Sequence, residues 1–414
     1  MLSLAQVSAQ RTGANLGHHH CMTLEIIHWI AGSILALAWG SRIVDAALGM
    51  PRIADVARPE WDRRPASPKG EPRVSIIVPA RNEEEDIRAT LERLLALDYS
   101  NYEVIAVDDR STDRTGPTMD EVAASPAAHG LLRAVHVAEL PPGWLGKTHA
   151  MWTAGNQATG DWLLFTDADV LFKPDSVRRV VAYAEAEQAD HVVLFPRMIM
   201  EHPAERMMIA VFQTLFVFGH RPWKVADSDA QDHMGVGAFN MVRRSVYDAV
   251  GTYQALRMEV LDDMKLGKVV KNGGFQQRNV FGEDLISLRW VKGAFGIVNN
   301  LTKNFFAVLS FQWPRTVASI VGLTFLNLGP FLGIWPAHGW ARVPYAIALV
   351  SLLGIYRGMS RLSDVPLYYF FLHPIGASLV IYTLARSMVL TIRQGGIVWR
   401  GTKYPLEELR KGMI

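Results

Sequence analysis

The chain has 414 residues, of which 50% are apolar and 20% are charged, and its formal net charge is +2. A water-soluble enzyme of this length is usually more polar, so we expect part of the chain to lie in a lipid bilayer. The small net charge gives no argument for a nucleic-acid partner. The single cysteine excludes an intramolecular disulfide framework and a cysteine-based zinc cluster.

The amino-terminal part of the chain predicts a membrane anchor. Residues 1–23 show no periodicity and predict a disordered tail, whereas residues 24–48 are apolar enough and long enough for a tilted transmembrane helix. A cleaved signal peptide would begin earlier and be shorter. Residues 49–72 are rich in proline and charge and predict a linker. Basic residues from Arg42 to Arg73 predict that the chain after this helix is cytoplasmic.

Residues 73–311 predict a soluble α/β domain. Apolar segments at 74–78, 103–107, 134–137 and 161–166 predict strands, with helical segments between them. Such alternation predicts a mainly parallel sheet that is buried on both faces. Ligands of these sheets bind beyond the carboxyl ends of the strands.

Three acidic clusters fall at that edge of the predicted sheet, at residues 81–86, 108–113 and 167–169. In the last cluster, Asp167 and Asp169 follow a buried strand one residue apart, and such hard oxygen ligands suit Mg²⁺ or Mn²⁺. An isolated Asp-x-Asp is more often a solvated loop. The shared position of the three clusters favours a metal site instead.

The first two clusters each have a structural alternative. The first begins a helix, whose N–H groups and dipole favour a phosphate, but Asn82 and the glutamates would also serve as helix caps. The second ends a strand with carboxylates that can accept hydrogen bonds from a base or a ribose. Its alternative is an Asx turn followed by a cap at Ser111 or Thr112.

Together these segments resemble the donor site of family 2 inverting glycosyltransferases of GT-A fold. The resemblance rests on residues 75–84, 107–113 and 167–169, and it implies a Rossmann-like nucleotide-sugar-binding domain. It implies that Asp109 or Asp108 holds the uracil or ribose. The remaining residues that it implicates are Pro79, Ala80, Arg81 and Glu83 beside the nucleotide, and Asp167 and Asp169 beside the sugar diphosphate and its Mg²⁺ or Mn²⁺.

A lysine precedes the metal motif. Lys147 lies in residues 143–150, directly before a predicted helix, and can reach the donor diphosphate as a point charge; an exposed loop lysine is the alternative. Together with residues 162–169, this segment is similar to the hopanoid- and carotenoid-associated branch of the family. That branch implies a membrane-bound enzyme with a lipid acceptor.

An inverting transfer requires a base that removes the proton of the acceptor. Residues 260–267 resemble the Glu-Asp base motif of the family, with Asp263 as the base and Asp262 in the place of the usual glutamate. Either aspartate could instead cap the helix that begins there.

Arg289 and Trp290 are similar to the last two residues of the Gln-x-x-Arg-Trp motif of processive family members, and we expect them to bind substrate. Ile286 stands at the Gln position, which favours transfer of a single sugar. Residues 207–218 predict either a lipid-facing acceptor helix or core packing. Residues 399–404 also occur in this branch, without a predicted role.

Residues 312–392 predict a membrane domain of two to three apolar helices, and residues 393–414 predict a basic tail. The runs at 316–335 and 366–392 can span a bilayer, whereas the run at 343–356 is short enough to be re-entrant or interfacial. Three crossings would leave the basic tail outside, against the positive-inside rule. We therefore expect one run not to cross.

The resemblance implies a metal-dependent, multi-pass enzyme of the inner (plasma) membrane with a cytoplasmic catalytic domain. We expect it to transfer one sugar from a nucleotide-sugar, a UDP-sugar, to a lipid hydroxyl in hopanoid or other polyisoprenoid glycolipid synthesis. Two alternatives stay open. One is a processive polysaccharide synthase, and the other is a catalytically silent membrane protein that binds nucleotide-sugar or lipid.

Overall fold

The computed structural model describes residues 4–65 and 70–413, with the side chains of residues 4–22 left out. Its strands form where the sequence has short apolar runs. In chain order the strands are β1 Ala54–Asp55, β2 Val74–Ala80, β3 Tyr102–Asp109, β4 Leu132–Val137, β5 Trp162–Phe165, β6 Leu171–Phe172, β7 His191–Leu194, β8 Arg197–Met198, β9 Asn240–Arg243, β10 Gln277–Phe281, β11 Ile286–Leu288, β12 Gly396–Trp399 and β13 Thr402–Pro405.

The helices alternate with the strands up to β11 and dominate the chain after it. In chain order they are α1 Leu4–Gly49, α2 Ile87–Leu95, α3 Thr115–Ala123, α4 Gly146–Gln157, α5 Ser176–Ala186, α6 Pro203–Gly219, α7 Arg244–Ala249, α8 Thr252–Ala255, α9 Asp262–Asn272, α10 Ala294–Val308, α11 Trp313–Gly333, α12 Arg342–Met359, α13 His373–Gln394 and α14 Leu406–Lys411.

The main sheet has eight strands within the described chain, in the order β1-β10-β7-β9-β5-β2-β3-β4. Strand β9 runs antiparallel to β5 and β7, and the other neighbours are parallel. The predicted α/β class with a mainly parallel sheet is confirmed. The carboxyl ends of β2, β3 and β5 lie side by side, so the acidic clusters that follow them meet at one edge.

Both faces of the sheet are covered, which explains why β2 is buried at every position. Ile76 and Val78 pack into a core with α2 and α3, whereas Ile77 points to the opposite face and packs against α4. Each fully buried side chain of this size contributes about 1.5–3 kcal/mol of transfer free energy. The sheet is therefore a rigid support for the loops at its edge.

Two segments are more ordered than the sequence predicts. Helix α1 begins at Leu4, inside the predicted disordered tail 1–23, and residues 1–3 lie outside the described chain. The segment contains no proline, and its alanine, leucine and glutamine residues favour a helix. Within the predicted linker 49–72, strand β1 joins the edge of the sheet beside β10, and the adjacent Val56 is fully buried.

Four helices in the described chain are long and apolar enough to cross a membrane. They span Thr23–Arg52, Trp313–Gly333, Gly339–Met359 and Leu367–Gln394. The run at 343–356, which looked short in the sequence, is extended to spanning length by a turn that precedes α12.

Helices α1, α11 and α12 pack side by side. Gly32 of α1 faces Tyr345 of α12, and Ile43 faces Gly354, so these two helices run in the same direction. The Trp39 indole N–H of α1 donates a hydrogen bond of 2.9 Å to a backbone carbonyl of α11, which runs in the opposite direction. Helices α1 and α12 are therefore parallel to each other, and α11 is antiparallel to both.

Helix α13 packs against α11, where the His373 ring lies 3.2 Å from the Asn327 side chain, and also against α6 and α10. Its Gly376 lies against Met207 of α6, and the Ser387 hydroxyl accepts a 2.9 Å hydrogen bond from the Phe306 N–H of α10. Both α6 and α10 follow strands of the α/β domain. Ile375 and Tyr382 are exposed on the other side of α13. The helix thus lies between α11 and the α/β domain, with an exposed apolar surface on its remaining side.

After α13 the chain returns to the α/β domain. Strands β12 and β13 form a hairpin, and α14 packs with it against residues of the domain. Leu409 and Tyr404 are buried in this cluster together with Met258. The predicted basic tail 393–414 is therefore a folded segment that completes one wall of the domain.

Candidate active site

A cavity of about 1750 Å³ opens at the carboxyl ends of β2, β3 and β5. One end is lined by charged side chains, and the other is lined by apolar side chains of α1, α6 and α11. Of the predicted site residues, only Asp108 lies outside its wall. The predicted residues that line the cavity are Pro79, Ala80, Arg81, Glu83, Asp109, Lys147, Asp167, Asp169, Asp262, Asp263, Arg289 and Trp290.

The loop after β5 is held in place by its backbone. The Thr166 hydroxyl donates a 2.8 Å hydrogen bond to the Ala238 carbonyl, and the Asp167 N–H donates a 3.0 Å bond to the Gly237 carbonyl. These bonds fix the direction in which the chain leaves the strand. Asp167 and Asp169 both line the cavity as a result.

Asp169 is a carboxylate that lacks a cationic partner. No cationic side chain in the described part of the chain lies within ion-pair distance of it. Burial, together with the charges of Asp167 and Glu83, raises its pKa to about 7. A cation beside Asp169 would therefore relieve an electrostatic penalty that the protein leaves uncompensated.

The two carboxylates suit a hard divalent cation whose remaining coordination positions are filled by substrate and water. Asp167 and Asp169 supply carboxylate oxygens, and the described residues contain no cluster of three or more potential ligands. Mg²⁺ and Mn²⁺ are commonly held by one or two carboxylates with phosphate oxygens and water in the other positions. The site thus suits a metal that arrives with, or is retained by, a diphosphate.

Lys147 connects the metal motif to the predicted base motif. Its ammonium lies 2.8 Å from a carboxylate oxygen of Asp167 and 3.6 Å from one of Asp262. Burial lowers the pKa of Lys147 and the surrounding carboxylates raise it, with a net upward shift. The lysine therefore stays charged, and the alternative of an exposed loop lysine is excluded by its contacts.

The two aspartates of the base motif differ in their surroundings. Asp263 accepts hydrogen bonds from the N–H of Gly237 at 2.9 Å and from the N–H of Met264 at 2.7 Å. Asp262 is 3% exposed, and one of its carboxylate oxygens has no hydrogen-bond partner in the described chain. Burial raises the pKa of both, that of Asp262 to about 7.

Two glycines allow these groups to approach one another. A Cβ at Gly237 would lie 2.5 Å from a carboxylate oxygen of Asp167, and a Cβ at Gly235 would overlap the backbone of Asp263. Gly237 thus lies against the carboxylate of Asp167 and Gly235 against the backbone of Asp263, and a pattern of glycines alone does not reveal these contacts.

At the other end of the charged region, Asp109 is nearly buried beneath two arginines. The guanidinium of Arg110 lies 2.7 Å from Asp109, and that of Arg81 lies 3.7 Å from it. Asp108 instead accepts hydrogen bonds from the Ser111 N–H and from the His136 ring. Asp108 thus forms the Asx turn that the sequence allowed, and Asp109 is the aspartate that faces the cavity.

Arg289 and Trp290 line the cavity on its far wall. The Arg289 guanidinium forms ion pairs with Glu201 and with Glu205, the latter at 2.9 Å. Glu205 is 1% exposed and also accepts a hydrogen bond from a backbone N–H at the start of α10. The ring of Trp290 packs on Phe212. These contacts join β11 and α10 to α6, so both residues have a structural role at this position.

Two basic residues that the sequence did not assign also reach the charged region. Arg400, at the tip of the β12–β13 hairpin, donates hydrogen bonds to the Arg81 carbonyl and to Glu83. Lys303 of α10 lies with its ammonium 4.5 Å from the ring of Trp399. Arg400 lies in residues 399–404, for which the sequence predicted no role, and Lys303 lies in α10, so only the tertiary structure brings the two residues to the site.

The apolar end of the cavity lies among the candidate membrane helices. The Met and Phe residues of α6 divide between the two predicted roles, because Met208 is buried in the core and Phe212 lines the cavity. Other apolar residues that line this end are Ile34, Leu35, Ala38, Phe216, Leu323, Phe325 and Leu326.

Residues 75–263 match the family model described as glycosyl transferase family 2. The chain is 21% identical over 345 residues to the 4,4'-diaponeurosporenoate glycosyltransferase of Staphylococcus aureus strain MRSA252, an alignment that covers 81% of this chain and 89% of that protein. It is 22% identical over 253 residues to the enzyme of the same name from Staphylococcus haemolyticus, covering 60% of this chain and 65% of that one.

Among solved structures, the mannosyltransferase PcManGT of Pyrobaculum calidifontis, in complex with GDP-Man and Mn²⁺, superimposes with a TM-score of 0.51 at 18% identity. The match covers 88% of this chain and 98% of that chain. The fold is therefore the Rossmann-like GT-A fold with a mostly parallel sheet. The family match and the fold together support a family 2 glycosyltransferase.

Proposed function

We propose that this protein is a membrane-anchored, metal-dependent, inverting glycosyltransferase that moves one sugar from a nucleotide-sugar to the hydroxyl of an apolar lipid. The observation that carries the proposal is the continuous cavity. It joins a cluster of carboxylates and cations at the sheet edge to an apolar end among α1, α6 and α11. A polar donor and an apolar acceptor would meet where these two parts join.

In this proposal the donor lies across the charged end. Asp109 accepts hydrogen bonds from the nucleoside, which we propose to be uridine, and Pro79, Ala80 and Glu83 border it. Lys147 offsets the charge of the diphosphate from its position beside Asp167, 2.8 Å away. The metal that Asp167 and Asp169 would hold supplies further positive charge to the leaving diphosphate.

The transfer step is a displacement at the anomeric carbon. The acceptor oxygen forms a bond to this carbon as its proton passes to the Asp263 carboxylate, and the bond from the carbon to the diphosphate oxygen breaks. The electron pair of that bond leaves with the nucleoside diphosphate. The Gly237 N–H, 2.9 Å from Asp263, orients the carboxylate for this role. Asp262, beside Lys147, keeps the lysine close to the base.

The acceptor would be a lipid whose apolar part occupies the end of the cavity beside the membrane helices. The relatives named as 4,4'-diaponeurosporenoate glycosyltransferases support an apolar acceptor. The similarity of residues 143–150 and 162–169 to the hopanoid- and carotenoid-associated branch also favours a polyisoprenoid. Transfer of a single sugar is supported over processive synthesis because Ile286 replaces the glutamine of the processive motif and Arg289 is paired with glutamates.

We also propose a topology in which the catalytic domain faces the cytoplasm at the inner (plasma) membrane. The hairpin after α13 contacts the α/β domain, which requires an even number of crossings between residues 311 and 396. The antiparallel packing of α1, α11 and α12 supports these as the crossing helices, with α13 interfacial beside α6 and α10. The basic residues of the tail would then be cytoplasmic, in agreement with the positive-inside rule.

The proposal is tested by transfer of radiolabel from UDP-sugars and GDP-mannose into a total bacterial lipid extract, with and without Mn²⁺ or Mg²⁺. We expect a metal-dependent, organic-soluble product with wild-type protein and none with Asp169→Asn. Labelled polymer that stays at the chromatographic origin would support a processive synthase instead. No incorporation with any donor, despite measurable nucleotide binding, would support the silent binding protein.

A further inference from the structure

The hairpin of β12 and β13 carries an arginine in an unfavourable backbone conformation at its tip. Arg400 has φ of 47° and Gly401 has φ of 79°, the left-handed pair of a two-residue type I′ turn. Asn and Gly favour the first of these positions, and another side chain there carries strain of about 1–3 kcal/mol. The conformation directs the arginine side chain to the Arg81 carbonyl and Glu83.

The hairpin is fixed to the site at its base as well as its tip. The Tyr404 hydroxyl accepts a 3.1 Å hydrogen bond from the N–H of Gly146, which directly precedes Lys147. A Cβ at Gly396 would overlap the backbone of Tyr404, so the two strands are as close as their main chains allow. The position of Arg400 relative to Lys147 is therefore set by the fold and does not depend on a loose tail.

Three cations meet at this end of the cavity: Lys147, which pairs with Asp167 and Asp262, Arg400, which pairs with Glu83, and Lys303. Burial and the charges of Lys147 and Arg400 lower the pKa of Lys303 to about 8. Arg400 uses one N–H on Glu83 and one on a carbonyl, which leaves other guanidinium donors available. All three cations line the same end of the cavity.

We propose that Arg400 and Lys303 bind the diphosphate of the donor, so that the hairpin 396–405 forms part of the donor site. This inference rests on the proposed function, because it assumes a nucleoside diphosphate in the charged end of the cavity. A guanidinium suits phosphate oxygens through paired N–H donors, and Lys303, whose ammonium lies 4.5 Å from the Trp399 ring of the same hairpin, adds a point charge. Together with Lys147 and the metal, these two residues would neutralise the negative charge of the donor diphosphate.

The test compares the binding of UDP, GDP and uridine to the full-length protein in detergent with Mn²⁺, by calorimetry. We expect Arg400→Ala to weaken binding of the nucleoside diphosphate by about tenfold or more, the effect of losing a charged hydrogen bond. Uridine, which lacks phosphate, should bind both proteins equally. Arg400→Lys should restore part of the loss, and Lys303→Met should act in the same direction as Arg400→Ala.

Lys403→Ala is the matched control, because Lys403 is an exposed cation on the same hairpin and does not line the cavity. Equal loss of uridine and diphosphate binding in Arg400→Ala, with a lower unfolding temperature, would make Arg400 a structural latch and overturn the inference. Unchanged diphosphate binding would overturn it while the proposed function stands. Failure of wild-type protein to bind either diphosphate would overturn both.

Discussion

The two ends of the cavity are built in opposite ways. Most side chains of the charged end lie at the carboxyl ends of β2, β3 and β5 and in the first turns of α4 and α9, and Lys303 and Arg400 join them from later in the chain. The apolar end is assembled from α1, α6 and α11, which are far apart in the sequence. Charged groups must be held at fixed distances because electrostatic interactions depend on geometry, whereas an apolar wall needs only shape and area. Changes at the charged end should therefore affect the chemical step, and changes at the apolar end should affect the acceptor alone.

The largest effect is expected from Asp263→Asn. An amide cannot take the proton of the acceptor, so kcat should fall by about 10²–10⁴-fold, the usual contribution of a general base. UDP affinity should stay within twofold of wild type, because Asp263 bonds to backbone N–H groups and not to the nucleoside region. Rapid-quench transfer assays and calorimetry measure the two quantities.

Asp248→Asn is a suitable control, since Asp248 is an exposed aspartate outside the cavity. Near-normal turnover by Asp263→Asn would contradict the assignment of the base. Asp262→Asn would then be the next variant to assay.

A smaller but still large effect is expected from Gly237→Ala. The new methyl group would lie 2.5 Å from a carboxylate oxygen of Asp167, so either the metal motif or the base must move. A displacement of about 1 Å at reacting groups lowers rates by roughly 10²-fold. The measurement is kcat at saturating donor, compared with Gly358→Ala, whose Cβ has open space around it. Wild-type turnover in Gly237→Ala would mean that the two carboxylates are not held together by this close approach.

At the apolar end, Gly322→Phe should act on the acceptor alone. Gly322 lines the cavity on α11, and nothing lies within 4 Å of a Cβ placed there. A ring in this space would exclude methylene groups of a long acceptor, raising KM by roughly tenfold. KM for a short-chain acceptor, and hydrolysis of the donor in water, should be unchanged. Gly358→Phe on α12, away from the cavity, is the control for added bulk in an apolar helix. An equal rise in KM in both variants would argue against an apolar acceptor site.

The smallest effect is a dependence on pH. Burial raises the pKa of Asp263 and brings that of Asp262 to about 7, so these groups are protonated at lower pH and cannot act as a base. We expect kcat/KM to fall as the pH decreases through the raised pKa of Asp263. Saturating Mn²⁺ should keep Asp169 ionised, which leaves the base motif to control the profile. A flat profile between about pH 5 and pH 8 would contradict this prediction.

Features that depend on local sequence could be predicted, whereas those that depend on tertiary contacts could not. The strands near residues 74–80, 102–109 and 162–165 were predictable because each is a mainly apolar run with acidic residues at its carboxyl end or within three residues of it. Their parallel arrangement then required the acidic ends to meet. The choice of Asp109 over Asp108 was not predictable, because it depends on which aspartate bonds to Ser111 and His136.

Arg400 and the packing of α13 were beyond prediction for a different physical reason. Arg400 reaches Glu83 across 317 positions of the chain, and no local pattern records such a contact. The same holds for α13, whose composition resembles that of α11 but which packs against α6 and α10 of the α/β domain as well as against α11. Composition indicates that a helix tolerates lipid, whereas its depth and orientation depend on the surfaces that pack against it.

The long separation between Arg400 and Glu83 has a consequence for biogenesis. The ribosome synthesises the acidic motifs first and reaches Arg400 only after all four candidate membrane helices have been made. Until the hairpin folds back, the nascent domain has its carboxylates but lacks Arg400 and the Tyr404 contact with Gly146. In the proposed topology, completion of this candidate site is coupled to membrane insertion, so a chain that stalls on the way into the bilayer would lack the contacts of Arg400 and Tyr404.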